Sequence, residues 1–206
     1  YNLAGVGQNM SNLVSNVGVV SADVTGVGTG RWAGAGTQYG TGLGIFAYGY
    51  SPAIGQSSLS NLVSNTGVVS TDVTGVGTAR SSMGACSYGT GLGIFAYGNG
   101  PVGMSNLVSN TGVIATDTAA VGGNTQTQYP GAAEYGGDKG IFYGGTNGSS
   151  YNISHLVSTS GVIGADVAGV GTARSALAGC DYGYDKAVMA FGTTGSLTNV
   201  SNLISN

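Results

Sequence analysis

Ser60-Asn61-Leu62-Val63-Ser64-Asn65 is one of five near-identical copies of a phrase; the others begin at Ser11, Ser105, Ser154 and Ser201. The spacings are 49, 45, 49 and 47 residues, with no helical apolar pattern inside a unit. A period of that length is the signature of a four-stranded propeller blade repeated in tandem. The chain of 206 residues therefore reads as a single repeat array without an internal domain boundary. Tyr1 aligns with Phe191, so the first and last units are incomplete. The expectation is a segment of a longer array, or two ends that complete one blade between them, with the segment ahead of residue 24 pairing with the strands between Arg174 and Phe191.

The unit around the third copy shows how a blade is written. Arg80 to Tyr88 is short, extended and rich in small residues; Gly89-Thr90-Gly91 turns the chain into the apolar run Leu92-Gly93-Ile94-Phe95-Ala96-Tyr97. A Gly/Pro loop, Gly98-Asn99-Gly100-Pro101, leads to a third strand over Asn106-Leu107-Val108-Ser109. Asn110-Thr111-Gly112 is a hairpin turn, and Val113-Ile114-Ala115-Thr116 is the expected fourth strand. Small side chains belong where strands crowd together near an axis, and bulky Ile, Phe and Tyr where the sheets diverge.

Composition narrows the function classes. Charged residues make up 6% of the chain, against about 25% in ordinary soluble domains. Glycine supplies 41 residues, yet the large apolar residues recur in register, which argues for a repeated core rather than coil. A net charge of −3 with five basic residues argues against a nucleic-acid surface. No apolar run approaches the roughly 20 residues of a membrane-spanning helix. Cys86 and Cys180 occupy equivalent places two units apart. Reaching the ~5.5 Å Cα separation of a disulfide is not expected there, so two buried thiols are the reading.

The order of these pieces resembles the kelch-type β-propeller repeat. Arg174, the small-residue strand from Ala176 to Cys180, the run Lys186-Ala187-Val188-Met189-Ala190-Phe191-Gly192 and the strand from Val200 to Ile204 follow that family's pattern. Ile141-Phe142-Tyr143-Gly144-Gly145 keeps its glycine pair; the other units keep one Gly. The family's outer-strand Trp is replaced by Val-Val or Val-Ile, and Thr127 stands where the third unit should carry its Arg, after a two-residue insertion. The resemblance implies tandem kelch-like blades of about 47 residues. The wording of the repeats, as in Asp72-Val73-Thr74-Gly75-Val76-Gly77-Thr78-Ala79-Arg80, is also similar in style to repetitive structural proteins of aquatic bacteriophages, which implies a fibre or adhesin component.

The residues that could carry chemistry read mostly as structural. Gly26-Val27-Gly28-Thr29-Gly30 and Gly40-Thr41-Gly42-Leu43-Gly44 lack the spacing and the helix of a phosphate loop and recur as turns. His155, the only histidine, replaces the Asn12, Asn61, Asn106 and Asn202 of the other units and reads as a surface or turn residue. No second and third member of a triad or of a zinc site is singled out beside it. Asp23, Asp72, Asp117 and Asp166 hold one repeat position, followed eight residues later by Arg31, Arg80 and Arg174 in three units. Charges kept in a charge-poor chain imply partners, with Asp capping a turn and Arg bridging neighbouring blades.

Asp138-Lys139 and Asp185-Lys186 fit hairpin turns. Asp181 with Asp185 falls short of the about six to eight oxygens that calcium takes, so no cofactor or metal is expected. Tyr39, Tyr88, Tyr135 and Tyr182 recur in register and read as packing between blades. Trp32 is unique to its unit and is the candidate sugar contact. Asn9, Asn147, Asn152 and Asn199 satisfy the N-glycosylation rule. The expectation is a non-catalytic structural or adhesive component of an extracellular or virion surface, with identical or related subunits as partners and an unpaired edge near residues 199–206. The alternative is a lectin-like propeller binding surface glycans.

Overall fold

The computed structural model describes residues 7–99, 103–119 and 127–205. Among these the fold is all-β, with fifteen strands and no helix. The opening Tyr1-Asn2-Leu3, part of the loop Gly98-Asn99-Gly100-Pro101 and the insertion ahead of Thr127 lie outside the described residues.

Each unit begins with a tight hairpin. β1 (Ala35–Tyr39) and β2 (Leu43–Ala47) pair antiparallel with Thr37 opposite Ile45. Gly40 and Gly42 make the turn with φ of 54° and 69°. β3 (Tyr50–Ser51) and β4 (Gly55–Gln56) form a small side hairpin, and β5 (Ser60–Val63) returns along β2. The order repeats as β6 (Gly84–Tyr88), β7 (Leu92–Ala96) and β8 (Met104–Val108), with β9 (Thr118–Ala119) as a fourth strand. It repeats again as β10 (Gly131–Tyr135), β11 (Lys139–Tyr143) and β12 (Ser154–Val157), then as β13 (Ala178–Tyr182), β14 (Lys186–Ala190) and β15 (Ser201–Ile204). The recurring Ser-Asn-Leu-Val phrase is the third strand of each sheet. Its copy at Ser11 instead forms a hairpin of its own through the bridges Ser11–Val24 and Val14–Val20.

Two boundaries differ from the sequence reading. Residues 113–116 do not form a strand; only the bridge Val108–Ile114 survives, as do its counterparts Val63–Val69 and Val157–Ile163. Backbone bonds persist on either side of that bridge, the Ser109 amide donating to the Val113 carbonyl and the Ala115 amide to the Leu107 carbonyl, and side chains take the remaining groups: Ser109 Oγ accepts from Thr111 and Val113, and Asn106 Nδ2 donates to the Ala115 carbonyl at 2.9 Å. Three of the large sheets are therefore three-stranded and one four-stranded, where four strands were expected in each. The first strand begins at Gly84 rather than Arg80, because Ser82 at φ 60° interrupts the extended run.

The sheets stack in chain order, β1 against β6, β6 against β10 and β10 against β13. Each junction buries an equivalent cluster. Ile45, Ala47 and Tyr48 meet Met83 and Phe95. Ile94 and Tyr97 meet Phe142 and Val157, and Ile141 and Tyr143 meet Leu177 and Met189. Close approach explains the small residues of the first strand: a Cβ at Gly84 would lie 2.9 Å from Phe142, and one at Gly131 2.9 Å from Leu177.

No closed ring forms among the described residues. β14 takes β15 as its neighbour, and the hairpin of residues 11–24 pairs with neither β13 nor β14. The mixed blade expected from closure within one chain is therefore absent.

The chain leaves every second strand through two consecutive left-handed residues. Tyr48, Tyr97, Gly144 and Phe191 have φ between 62° and 67°, and the glycine after each is also positive. This is the physical content of the glycine pair. A ring at the first position costs on the order of 1 kcal/mol of backbone strain, tolerated where the ring fills the space between sheets. The third unit places Gly144 there and moves its ring one residue back, to Tyr143.

Candidate functional site

The repeated charges form one network per sheet, complete in the second. Arg80 is buried, with Nε donating to the Tyr97 carbonyl at 2.9 Å and Nη2 to Asn106 Oδ1 at 2.6 Å. Its guanidinium lies 4.2 Å over the Tyr48 ring of the preceding sheet. Asn106 Nδ2 donates to Asp117 Oδ1 at 2.9 Å, and Asp117 Oδ2 accepts from the Thr78 amide at 2.9 Å and its hydroxyl at 2.7 Å. One arginine thus ties the second and third strands to the sheet before, while the aspartate closes the loop that delivers the arginine. Burial pushes the Tyr48 phenol up to about 12, and its hydroxyl donates to the Val76 carbonyl.

The first sheet repeats the arrangement with Thr29, Arg31, Asn61 and Asp72: the Thr29 amide and hydroxyl donate to Asp72 at 2.9 and 2.8 Å, and Arg31 donates to Asn61. Partial burial opposes ionisation of Asp72 and Asp117. Their amide, hydroxyl and backbone donors, with the nearby arginine, outweigh it and hold both below the usual carboxylate range. Folding therefore disfavours their protonation. The stability they add is complete above the unfolded value of 3.8 and is lost as pH falls through the lower folded values. Thermal melts from about pH 5 to about pH 2 should show a fall that Asp72→Asn with Asp117→Asn flattens.

The third sheet solves the same problem differently. Thr127 holds the arginine place, and His155 is not the surface or turn residue expected: it is 2% exposed, with Nε2 2.9 Å from Asp166 Oδ1 and its ring centroid 5.1 Å from that of Tyr97. Arg80 covers Tyr48 and Arg174 covers Tyr143 at 5.4 Å; His155 does that work for Tyr97 while also replacing the asparagine. The sequence signal was the coincidence of both departures in one unit. His155→Asn should cost ~2 kcal/mol by stripping Tyr97 and weakening the bond to Asp166, and Thr127→Arg in the same chain should recover much of it in urea melts.

The fourth sheet is incomplete. Arg174 is buried and donates from Nη2 to the Met189 carbonyl at 3.1 Å, but its Nε and the buried Asn202 Oδ1 have no partner. At the other end, Asn12 Nδ2 donates to Asp23 Oδ1 at 2.8 Å on an exposed hairpin, with no arginine bonded to either.

Cys86 lies under the next sheet, and burial raises its thiol to about 12. Cys180 is exposed, contrary to the reading of two buried thiols, because among the described residues no sheet covers its face. The same cause leaves Tyr182 41% exposed while Tyr39 and Tyr88 are buried and Tyr135 is half-buried. Trp32 is 41% exposed, with its ring 5.1 Å from that of Tyr50. It stands at a cleft of about 510 Å³ whose lining includes Asn9, Asn12, Arg31, Phe46 and Asn61. A second cavity of about 480 Å³ is bounded by the first strands of all four large sheets, with Gln38, Ser87, Glu134 and Asp181 at one register position.

Ser87 donates to Glu134, and Asp185 pairs with Lys186 at the turn into β14. Among the described residues no three His, Cys, Asp or Glu side chains converge as a metal set. Asn9 and Asn152 donate to the carbonyls of Gly28 and Gly171, while Asn147 and Asn199 stand exposed in loops. No family model matches the chain, and no curated protein matches it in sequence.

Proposed function

We propose that the chain is a non-catalytic structural or adhesive component of an extracellular or virion surface, its sheets acting as kelch-like propeller blades and its partners being further copies or related subunits. One observation carries this reading: the charges that the units retain are bound within and between sheets. Arg80, Asp117, Arg31, Asp72 and the His155–Asp166 pair are bolts of a repeated frame. Catalysis needs an asymmetric cluster, and a bolt that recurs from sheet to sheet at one repeat position is the opposite. A surface so poor in charge does little to keep copies apart.

The second reading, a lectin-like propeller, is favoured by the Trp32–Tyr50 pair beside amide side chains at the cleft. Sedimentation across a salt series, run beside a glycan array, separates them. The structural reading expects association that salt barely changes, since few ion pairs are available to screen. A monomer at every salt concentration, with a sugar preference abolished by Trp32→Ala, would replace it with the lectin reading.

A further inference from the structure

A row of single left-handed residues runs through the stack, one ahead of the first strand of each large sheet. Ala33, Ser82, Tyr129 and Ala176 have φ of 52°, 60°, 54° and 53°. Each is bonded to the next: the Ser82 amide donates to the Ala33 carbonyl, the Tyr129 amide to the Ser82 carbonyl and the Ala176 amide to the Tyr129 carbonyl. The row fixes the conformation, and three of its members meet it with a small side chain. Tyr129 does not, although a bulky residue suits positive φ poorly. Pro130 adds to the cost, because a proline pushes the residue before it toward extended backbone.

Packing does not offset that strain. Tyr48 and Tyr97 also have positive φ, but their rings are buried and fill the junctions between sheets. The Tyr129 ring is 43% exposed, belongs to none of the three buried clusters and has no ring partner among the described residues. Tyr129 is flanked by Ser82 of the sheet before and Ala176 of the sheet after, so its exposure belongs to the row and not to an end of the stack. Strain of this kind, kept without buried contacts, is what binding and catalytic sites retain.

The surroundings indicate the class of ligand. Gly131 pairs with Tyr143, so the start of each first strand lies beside the end of the second. The row therefore shares one end of the sheets with the connections that leave the second strands. Those connections, residues 48–59, 97–103, 144–153 and 191–200, contain no charged residue. Asp138, Lys139, Asp185 and Lys186 lie at the turns of the opposite end. Gln128, next to Tyr129, bridges to Thr146, and Ser81, next to Ser82, bridges to the exposed Asn99. An accessible ring edged by amides and hydroxyls, with no charge in the connections around it, suits a neutral pyranose: the C–H face of the sugar lies on the ring and its hydroxyls bond the amides.

We propose that Tyr129 is the stacking platform of a site for a neutral saccharide, with the neighbouring Gln128 and Asn99 supplying amide hydrogen bonds. The site rests on the adhesive reading above and names what is adhered to. It is separate from the Trp32–Tyr50 pair, which belongs to the unit two sheets earlier.

Tyr129→Gly tests it in two assays. A platform is not needed for the fold, and glycine relieves a positive φ, so the urea midpoint should hold or rise. On an array of neutral and sialylated glycans the unaltered chain should bind neutral members. Tyr129→Gly should weaken the best of them about tenfold, as loss of a stacked ring implies, and Tyr129→Phe should retain it. A lowered midpoint would mean that the ring packs within the fold and would overturn the proposal. Binding abolished by Trp32→Ala but intact in Tyr129→Gly would sink this site and leave the lectin reading standing. Selection of sialylated glycans alone, or of no glycan, would also overturn it; association that salt barely changes would then still support the structural reading.

Discussion

Arg80→Ala should destabilise the chain by about 3 kcal/mol or more, because it leaves buried acceptors and a carboxylate without their cation. For a chain of 206 residues that corresponds to a fall in melting temperature of roughly 6–12 °C. The side chain is 1% exposed, covers Tyr48 and donates to Tyr97 and Asn106, so one truncation loosens three elements. Arg80→Lys should rescue little, since a single ammonium cannot reproduce the planar fork. Arg31→Ala is the internal comparison. It holds the same repeat position, but among the described residues no ring lies beneath it and its side chain is 10% exposed, so the loss should be well under half as large. Binding to any ligand should be almost untouched by Arg80→Ala. An unchanged melting curve, or equal losses at Arg31 and Arg80, would break the account of these charges as bolts between sheets.

What the sequence made legible follows from what repeats. Third strands, turn glycines and the Asp–Arg spacing recur in register, and each marks a physical requirement met once per unit: a ladder, a left-handed turn, a buried charge with its donors. The fourth strand was over-read because alternating Val and Ile residues suit a strand, yet the pairing narrows to a single bridge, and the side chains of Ser109 and Asn106 take the Val113 amide and the Ala115 carbonyl. The role of His155 was hidden for a different reason. Its partners, Tyr97 of one sheet and Asp166 of its own, are 58 and 11 residues away, and only stacking brings them to one place. Cys180 and Tyr182 were misplaced because register predicts burial only where another sheet packs on the strand, and among the described residues none packs on that face of β13.

That dependence on a neighbour gives the second large effect. Phe95 and Phe46 share one repeat position, one strand and one preceding isoleucine, yet Phe95 is fully buried and Phe46 is 52% exposed. Phe95→Ala should cost ~3–5 kcal/mol, the transfer of a buried ring plus the cavity it leaves against Tyr48. Phe46→Ala removes a ring that faces a cleft and should change the stability of an isolated copy by less than about 0.5 kcal/mol. The ranking should invert when association is measured. On the structural reading proposed above, Phe46 lies on an exposed apolar face that further copies can cover, so its truncation should weaken association about tenfold or more, in the manner of a central aromatic at an interface. Urea melts of dilute protein report the first quantity and concentration-dependent sedimentation the second. Identical repeat residues that differ by several kcal/mol in one assay and reverse in the other would mean that sheet stacking, rather than the residue itself, sets the energy. Equal destabilisation by both truncations in dilute solution would instead mean that Phe46 is already covered within its own chain, and the open face would have to be given up.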